Sequence, residues 1–335
     1  MIKQAIKFGK TELKNRLVMP PMATYYCDAE GQVTDKLLEY YGARAEGGNI
    51  GLIIVEHAFI TKVGMARKNQ LSISRDSDVE GLKKLTAVIK QNGSRVMAQL
   101  NHGGAAALSE ASGMKPIAPS PVVMPDISGM GDPAGAVEMT KEQIEELPGI
   151  YVAAALRAKE AGFDGVVIHC AHSYLLNEFY SPLTNKRTDE YGGNIDNRLR
   201  IHREVIKAVR EAVGPDYTVS IRLGGVDYEM EGGNTLADAA YAAKVFAEAG
   251  VDAIDISGGM SRYMRPGHEE AGYFQDSSRA VKAAVDLPVI LTGGVRSLAD
   301  ADALLKDGAA DLIGVGRPLL ADPKWADKAM AEYSE

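Results

Sequence analysis

Eight short β-branched runs, each followed by a helical pattern, constrain this chain more than any other feature. The runs lie at 16–22, 50–60, 95–104, 163–172, 217–225, 251–259, 288–295 and 311–320. They are nearly continuous in apolar residues, as strands covered on both faces must be. Helical stretches at 35–46, 78–91, 140–160, 197–213, 235–249, 276–285, 298–307 and 322–333 follow them. Thr140 opens one of these with a Thr-x-x-Gln capping box. This alternation predicts one α/β domain over 1–335, a parallel (β/α)₈ TIM barrel. A doubly wound open sheet is the structural alternative. Against it, no early strand runs into a Gly-rich dinucleotide turn with an acid about 20 residues on.

Two segments fall outside the repeat. Residues 5–15 read as a β-hairpin turning at Gly9-Lys10 and plugging the barrel bottom. Residues 103–139, rich in Gly, Pro, Ser and Met, follow the third barrel strand. A loop of that length in a compact domain acts as a lid or a binding loop.

The net charge of −8 argues against a nucleic-acid or acidic-membrane surface. No run of about 18 apolar residues occurs, and the N-terminus lacks the apolar stretch of a signal peptide, so a soluble cytoplasmic protein is expected. Cys27 and Cys170 form no C-x-x-C pair and read as small buried side chains.

The strand ends carry the chemistry. In a barrel they converge on one face, where active sites sit. "LTGGVRS" and "GVGRPLL" close the last two strands. Their glycines let backbone N–H groups approach an anion, and their arginines supply charge, so a phosphate-bearing ligand is expected there. Gln99 and Arg222 sit deep in apolar strands and need partners. A heterocycle with carbonyl and imide groups would satisfy both; an internal polar pair is the plainer reading. "GVVIHCAHSYLLNEFYSP" (165–182) runs an apolar strand into His169, His172 and Tyr174. A metal held by the two histidines with Glu56 or His57 is an alternative, but no metal is expected. His102, His202 and His268 read as inert core histidines.

The segments "KNRLVMPPMAT", "IIVEHAFI", "AQLNHGG", "SPLTNKRTDEYGGNIDNR", "VSIRL", "LTGGVRS" and "GVGRPLLADP" together resemble the Old Yellow Enzyme family of FMN-dependent ene-reductases, over essentially the whole chain. The resemblance implies FMN across the barrel top, with NADH or NADPH as reductant. Pro20, Pro21, Met22 and Ala23 would line the flavin. His57 stands where the family has a small residue, so contact through its backbone is expected. Gln99 would bond the pyrimidine edge and Arg222 would lie near N1 and O2. Gly294, Arg296, Gly316 and Arg317 would bind the phosphate.

The same resemblance makes His169 and His172 donors to the carbonyl oxygen of an α,β-unsaturated substrate, with hydride passing from flavin N5 to its β-carbon. Tyr174 would protonate the α-carbon, and Tyr25, the 103–139 loop and 260–267 would shape the substrate site. Small molecules are the expected partners, and a homo-oligomer is compatible with the sequence. Ala23 replaces a Thr or Cys that bonds the flavin carbonyl in many members, and "HGGAAA" lacks an Arg often present there. The chain stops at "MAEYSE", so neither an iron–sulfur nor a second flavin domain is expected. Two other readings fit the same residues: a flavin-free lyase or isomerase using the phosphate site, and a flavoprotein that relays electrons without turnover.

Overall fold

The computed structural model describes residues 1–124 and 128–333. Residues 125–127 of the long loop and the last two residues of the domain read from the sequence lie outside that description. A short hairpin comes first, β1 (Ile6–Phe8) paired antiparallel with β2 (Thr11–Leu13). The barrel strands follow: β3 (Leu17–Met19), β4 (Leu52–Phe59) and β5 (Arg95–Asn101). After an excursion carrying β6 (Ile117–Ala118) and β7 (Val137–Glu138) come β8 (Gly165–Cys170), β9 (Thr218–Gly224), β10 (Ala253–Ser257), β11 (Val289–Thr292) and β12 (Leu312–Gly314). The eight barrel strands close in the order β10-β11-β12-β3-β4-β5-β8-β9, each pair parallel. The eightfold parallel barrel expected from the sequence is therefore the fold.

Outer helices are α1 (Asp35–Ala45), α2 (Val79–Lys90), α3 (Lys141–Glu160), α4 (Arg200–Val213), α5 (Leu236–Ala249), α6 (Gln275–Ala284), α7 (Leu298–Lys306) and α8 (Trp325–Glu332). Thr140 caps α3 through Gln143, as the capping box requires. Among the described residues no helix is long and apolar enough to cross a membrane.

The strands are shorter than their apolar runs. β3 stops at Met19 because Pro20 and Pro21 have no N–H for the ladder. The run read as a strand over 311–320 ends at Gly314, and Arg317–Ala321 is a short helix with proline in its first turn. Leu175–Tyr180 is another short helix. The 103–139 excursion is tied at its base by the parallel β6–β7 pair.

The interior is layered. Val18, Leu52, Ile54, Met97, Val167, Ala253, Ile290 and Leu312 fill the barrel and pack against Phe8 and Leu13 of the hairpin. The hairpin thus plugs the bottom as expected. Because side chains alternate along a strand, the residue two positions further on points inward again. In β3, β5, β8, β10, β11 and β12 those positions are Pro20, Gln99, His169, Asp255, Thr292 and Gly314. The apolar plug below and polar side chains above make the top of the barrel the chemical face.

Candidate active site

That face opens into a cavity of about 400 Å³ lined by residues from the ends of all eight barrel strands or the loops that follow them. Pro20, Pro21, Met22, Ala23 and Tyr25 form one wall, following β3. Their segment is braced from behind by Glu56, whose carboxylate accepts the Thr24 N–H at 3.0 Å. Burial pushes the Glu56 carboxyl up to about 7.

Gln99 and Arg222 reach the cavity floor from β5 and β9. Gln99 Nε2 and Arg222 Nε are buried donors without a hydrogen-bond acceptor in the protein. Arg222 faces His169 across β8 and Asp255 across β10. Asp255 Oδ2 lies 3.3 Å from its Nε. Burial raises the Asp255 carboxyl to about 6, against the pull of Arg222. This partner went unread in the sequence, although an acid inside "VDAIDIS" carries the same signal as Arg222 inside "VSIRL".

The opposite wall holds Thr292, Gly294, Gly316 and Arg317. Gly294 has φ +71°, and a Cβ there would meet the Glu270 carbonyl at 2.0 Å, so only glycine fits. Arg296 does not join them; its side chain is 60% exposed and lies 3.9 Å from Glu269. Arg317 is exposed at the cavity edge, with no carboxylate partner among the described residues.

Above the floor the rings of His169, His172 and Tyr174 cluster. His169 stands 5.2 Å from His172 and 5.1 Å from Tyr174, centroid to centroid. The strand end is turned by two adjacent left-handed residues, His172 (φ +63°) and Ser173 (φ +64°). Neither is glycine, so this turn leaves no mark in the sequence, and such strain collects at functional sites. Ser257 Oγ sits 2.7 Å from His172 Nε2 and 3.4 Å from Arg222 Nη2, linking the two.

Burial holds both histidines well below the usual imidazole range, helped for His169 by His172 and Arg222 and for His172 by Arg222 and His57. Each is therefore neutral, with one N–H to donate. Burial pushes the Tyr174 phenol up, with Arg67 and Arg262 pulling the other way, so it keeps its proton.

His57 lines the cavity, its ring centroid 5.1 Å from that of Tyr174 and 6.2 Å from that of His169. Arg67, Arg262, Tyr263, Met264 and Tyr273 complete the mouth. The 260–267 segment was anticipated; Arg67 and Tyr273 were not. His102 and His202 are buried against Gly104 N–H and the Leu176 carbonyl, as core histidines should be. His268 corrects its reading: it lies at the surface on Glu270, 2.6 Å away. Cys27 and Cys170 are buried free thiols. Among the described residues no three His, Cys, Asp or Glu side chains group as metal ligands.

FMN fits these residues. The unpartnered Gln99 Nε2 and the Arg222 guanidinium at the cavity floor match the acceptor edge of an isoalloxazine, and the glycine-lined wall with Arg317 matches a phosphate.

Comparisons with known proteins agree. Residues 2–334 match the NADH:flavin oxidoreductase / NADH oxidase family. The chain is 38% identical over 329 residues to an NADH oxidase of Thermoanaerobacter brockii, covering 96% of this chain and 50% of that protein. An NADPH dehydrogenase of Bacillus cytotoxicus is 40% identical over 324 residues, covering 96% and 89%. An old yellow enzyme homologue from Zymomonas mobilis superposes with a TM-score of 0.86 at 28% identity, over 99% of this chain and 93% of that one. The chain thus spans about half the length of the first of these relatives and most of the other two. With its barrel, its cavity and its sequence in accord, the chain belongs to the NADH:flavin oxidoreductase / NADH oxidase family, among the Old Yellow Enzyme homologues.

Proposed function

We propose that residues 1–335 act as one FMN-binding barrel domain, an NAD(P)H-dependent oxidoreductase that reduces the activated C=C bond of α,β-unsaturated carbonyl and related compounds. The observation that carries this reading is the ring cluster: two neutral imidazoles and a protonated phenol over a floor of unsatisfied donors. Bound FMN would supply the hydride chemistry, accepting hydride from nicotinamide and delivering it to the β-carbon of the alkene.

The chain's own residues do the rest. His169 and His172 donate to the substrate carbonyl oxygen, where negative charge develops. Being neutral, they cost no buried charge when the site is empty. Tyr174 gives its proton to the α-carbon. Arg222, oriented by Asp255, places positive charge at the cavity floor. Ala23 presents only a methyl group where many relatives place a hydroxyl or thiol, so it donates no hydrogen bond to the flavin carbonyl. A small molecule is the partner, and two buried free thiols suit a cytoplasmic setting.

The test is anaerobic. The purified protein should be yellow and should release FMN on denaturation. It should consume NADH or NADPH stoichiometrically with formation of saturated product from an enone. A colourless protein, or a flavoprotein that oxidises NAD(P)H but leaves enones, enoates, nitroalkenes and maleimides untouched, overturns the proposal.

A further inference from the structure

The ladder between β4 and β5 pairs Val55 with Ala98 and then Ala58 with Leu100, so β4 carries one extra residue at Glu56-His57. Such a bulge re-aims side chains next to active sites. Val55 and Ala58 both pack in the outer core between barrel and helices, although unbroken alternation would send them to opposite faces. The irregularity turns His57 into the cavity.

The imidazole is then fixed from behind. Gln70 Nε2 lies 2.9 Å and Asn101 Nδ2 3.1 Å from His57 Nδ1. The orientation of the Gln70 amide is set independently, because its Oε1 accepts the Ala66 N–H at 2.7 Å. The nitrogen end therefore faces His57, and it also donates to the His57 carbonyl at 3.2 Å. An amide nitrogen only donates, so Nδ1 is an acceptor and carries no proton. Burial, with Arg67 and Arg222 nearby, lowers His57 to about 4, so the ring is neutral and its proton sits on Nε2. Nε2 stands 3.5 Å from Tyr174 Oη, the outer limit of a hydrogen bond, with ring centroids 5.1 Å apart. Catalytic hydrogen bonds commonly tighten once ligand is bound.

The direction of that bond matters. If Nε2 were the acceptor, the Tyr174 proton would point at His57, away from substrate. With the proton on Nε2, Oη accepts and its own proton is free for the cavity.

We propose that His57 is a positioning residue: Gln70 and Asn101 hold it as the Nε2–H tautomer, it donates to Tyr174 Oη, and it thereby aims the phenolic proton at the substrate. This rests on the reading of Tyr174 as proton donor.

The test uses the FMN-loaded protein. ¹⁵N-histidine NMR, with the His57 signals identified by their loss in His57→Gln, should show Nε2 protonated and Nδ1 bare. In stopped flow, His57→Phe should slow reoxidation by cyclohexenone about tenfold, the effect of losing one hydrogen bond. His57→Gln, which restores an N–H near the Nε2 position, should recover most of that loss. Adding His57→Phe to Tyr174→Phe should slow reoxidation no further. A proton on Nδ1, or multiplying effects of His57→Phe and Tyr174→Phe, overturns the role of His57 while the proton-donor reading stands. Wild-type reoxidation in Tyr174→Phe alone overturns both.

Discussion

Arg222 and Asp255 form a buried ion pair under the cavity, Nε to Oδ2 3.3 Å, with both side chains almost fully enclosed. Arg222, and after it the Thr292 hydroxyl, favour the charged form of Asp255 against its burial. Arg222→Ala leaves that acid unpaired, and breaking such a pair costs about 3–5 kcal/mol. The expected result is lower stability and loss of flavin on gel filtration. Arg222→Ala that keeps full flavin content and a wild-type reductive half-reaction would remove Arg222 from the cofactor site.

The histidine pair predicts ligand affinity. Phenols mimic an enolate oxygen and should bind between His169 and His172. Replacing both by Ala should abolish most of that affinity, since one such donor is worth about 2.7–4 kcal/mol toward a developing oxyanion. Titration of the FMN-loaded double variant with a phenol is the check; an unchanged affinity and long-wavelength absorption band would contradict the assignment.

Gln99 and Arg222 were legible in the sequence because a polar side chain inside an apolar run must find a partner. His169, His172 and Tyr174 were legible for the same reason, and the roles proposed for them come from the family motif. The barrel followed from eight repeated units. What stayed hidden depends on closure in three dimensions. The β4 bulge leaves no mark in "IIVEHAF", where apolar residues fill both faces and alternation cannot be seen. Arg67 and Tyr273 lie in loops without periodicity, and only the folded barrel brings them to one mouth. Arg296 shares a motif with Gly294, yet its side chain turns to Glu269 and solvent.

Glu56 gives a pH signature. Its carboxyl is raised to about 7 by burial, against an unfolded value of about 4.3. Between these values the folded state binds the extra proton, so the stability Glu56 contributes is fully present below about 4.3 and is lost as pH rises toward 7. Glu56→Gln lacks this titration. Its unfolding free energy relative to wild type should therefore increase by roughly 1.4 kcal/mol per pH unit across that window and level off above it. Urea unfolding of both proteins at pH 5, 6, 7 and 8 measures the difference; a flat profile would mean that Glu56 is ionised throughout.

The most direct measurement separates the two half-reactions in Tyr174→Phe. The phenol is buried and keeps its proton, its ring centroid lies 5.1 Å from that of His169, and the proposed function makes it the acid. Removing its hydroxyl should leave NAD(P)H oxidation nearly intact. Reoxidation by cyclohexenone should slow by roughly 10²–10⁴-fold, the range for a positioned acid. Nitroalkenes should suffer less, because a nitronate is stable enough to leave and take its proton from water. Anaerobic stopped flow reads both phases in one preparation. Slow reoxidation by the enone with normal reduction is the predicted result; reoxidation by cyclohexenone at the wild-type rate would contradict it.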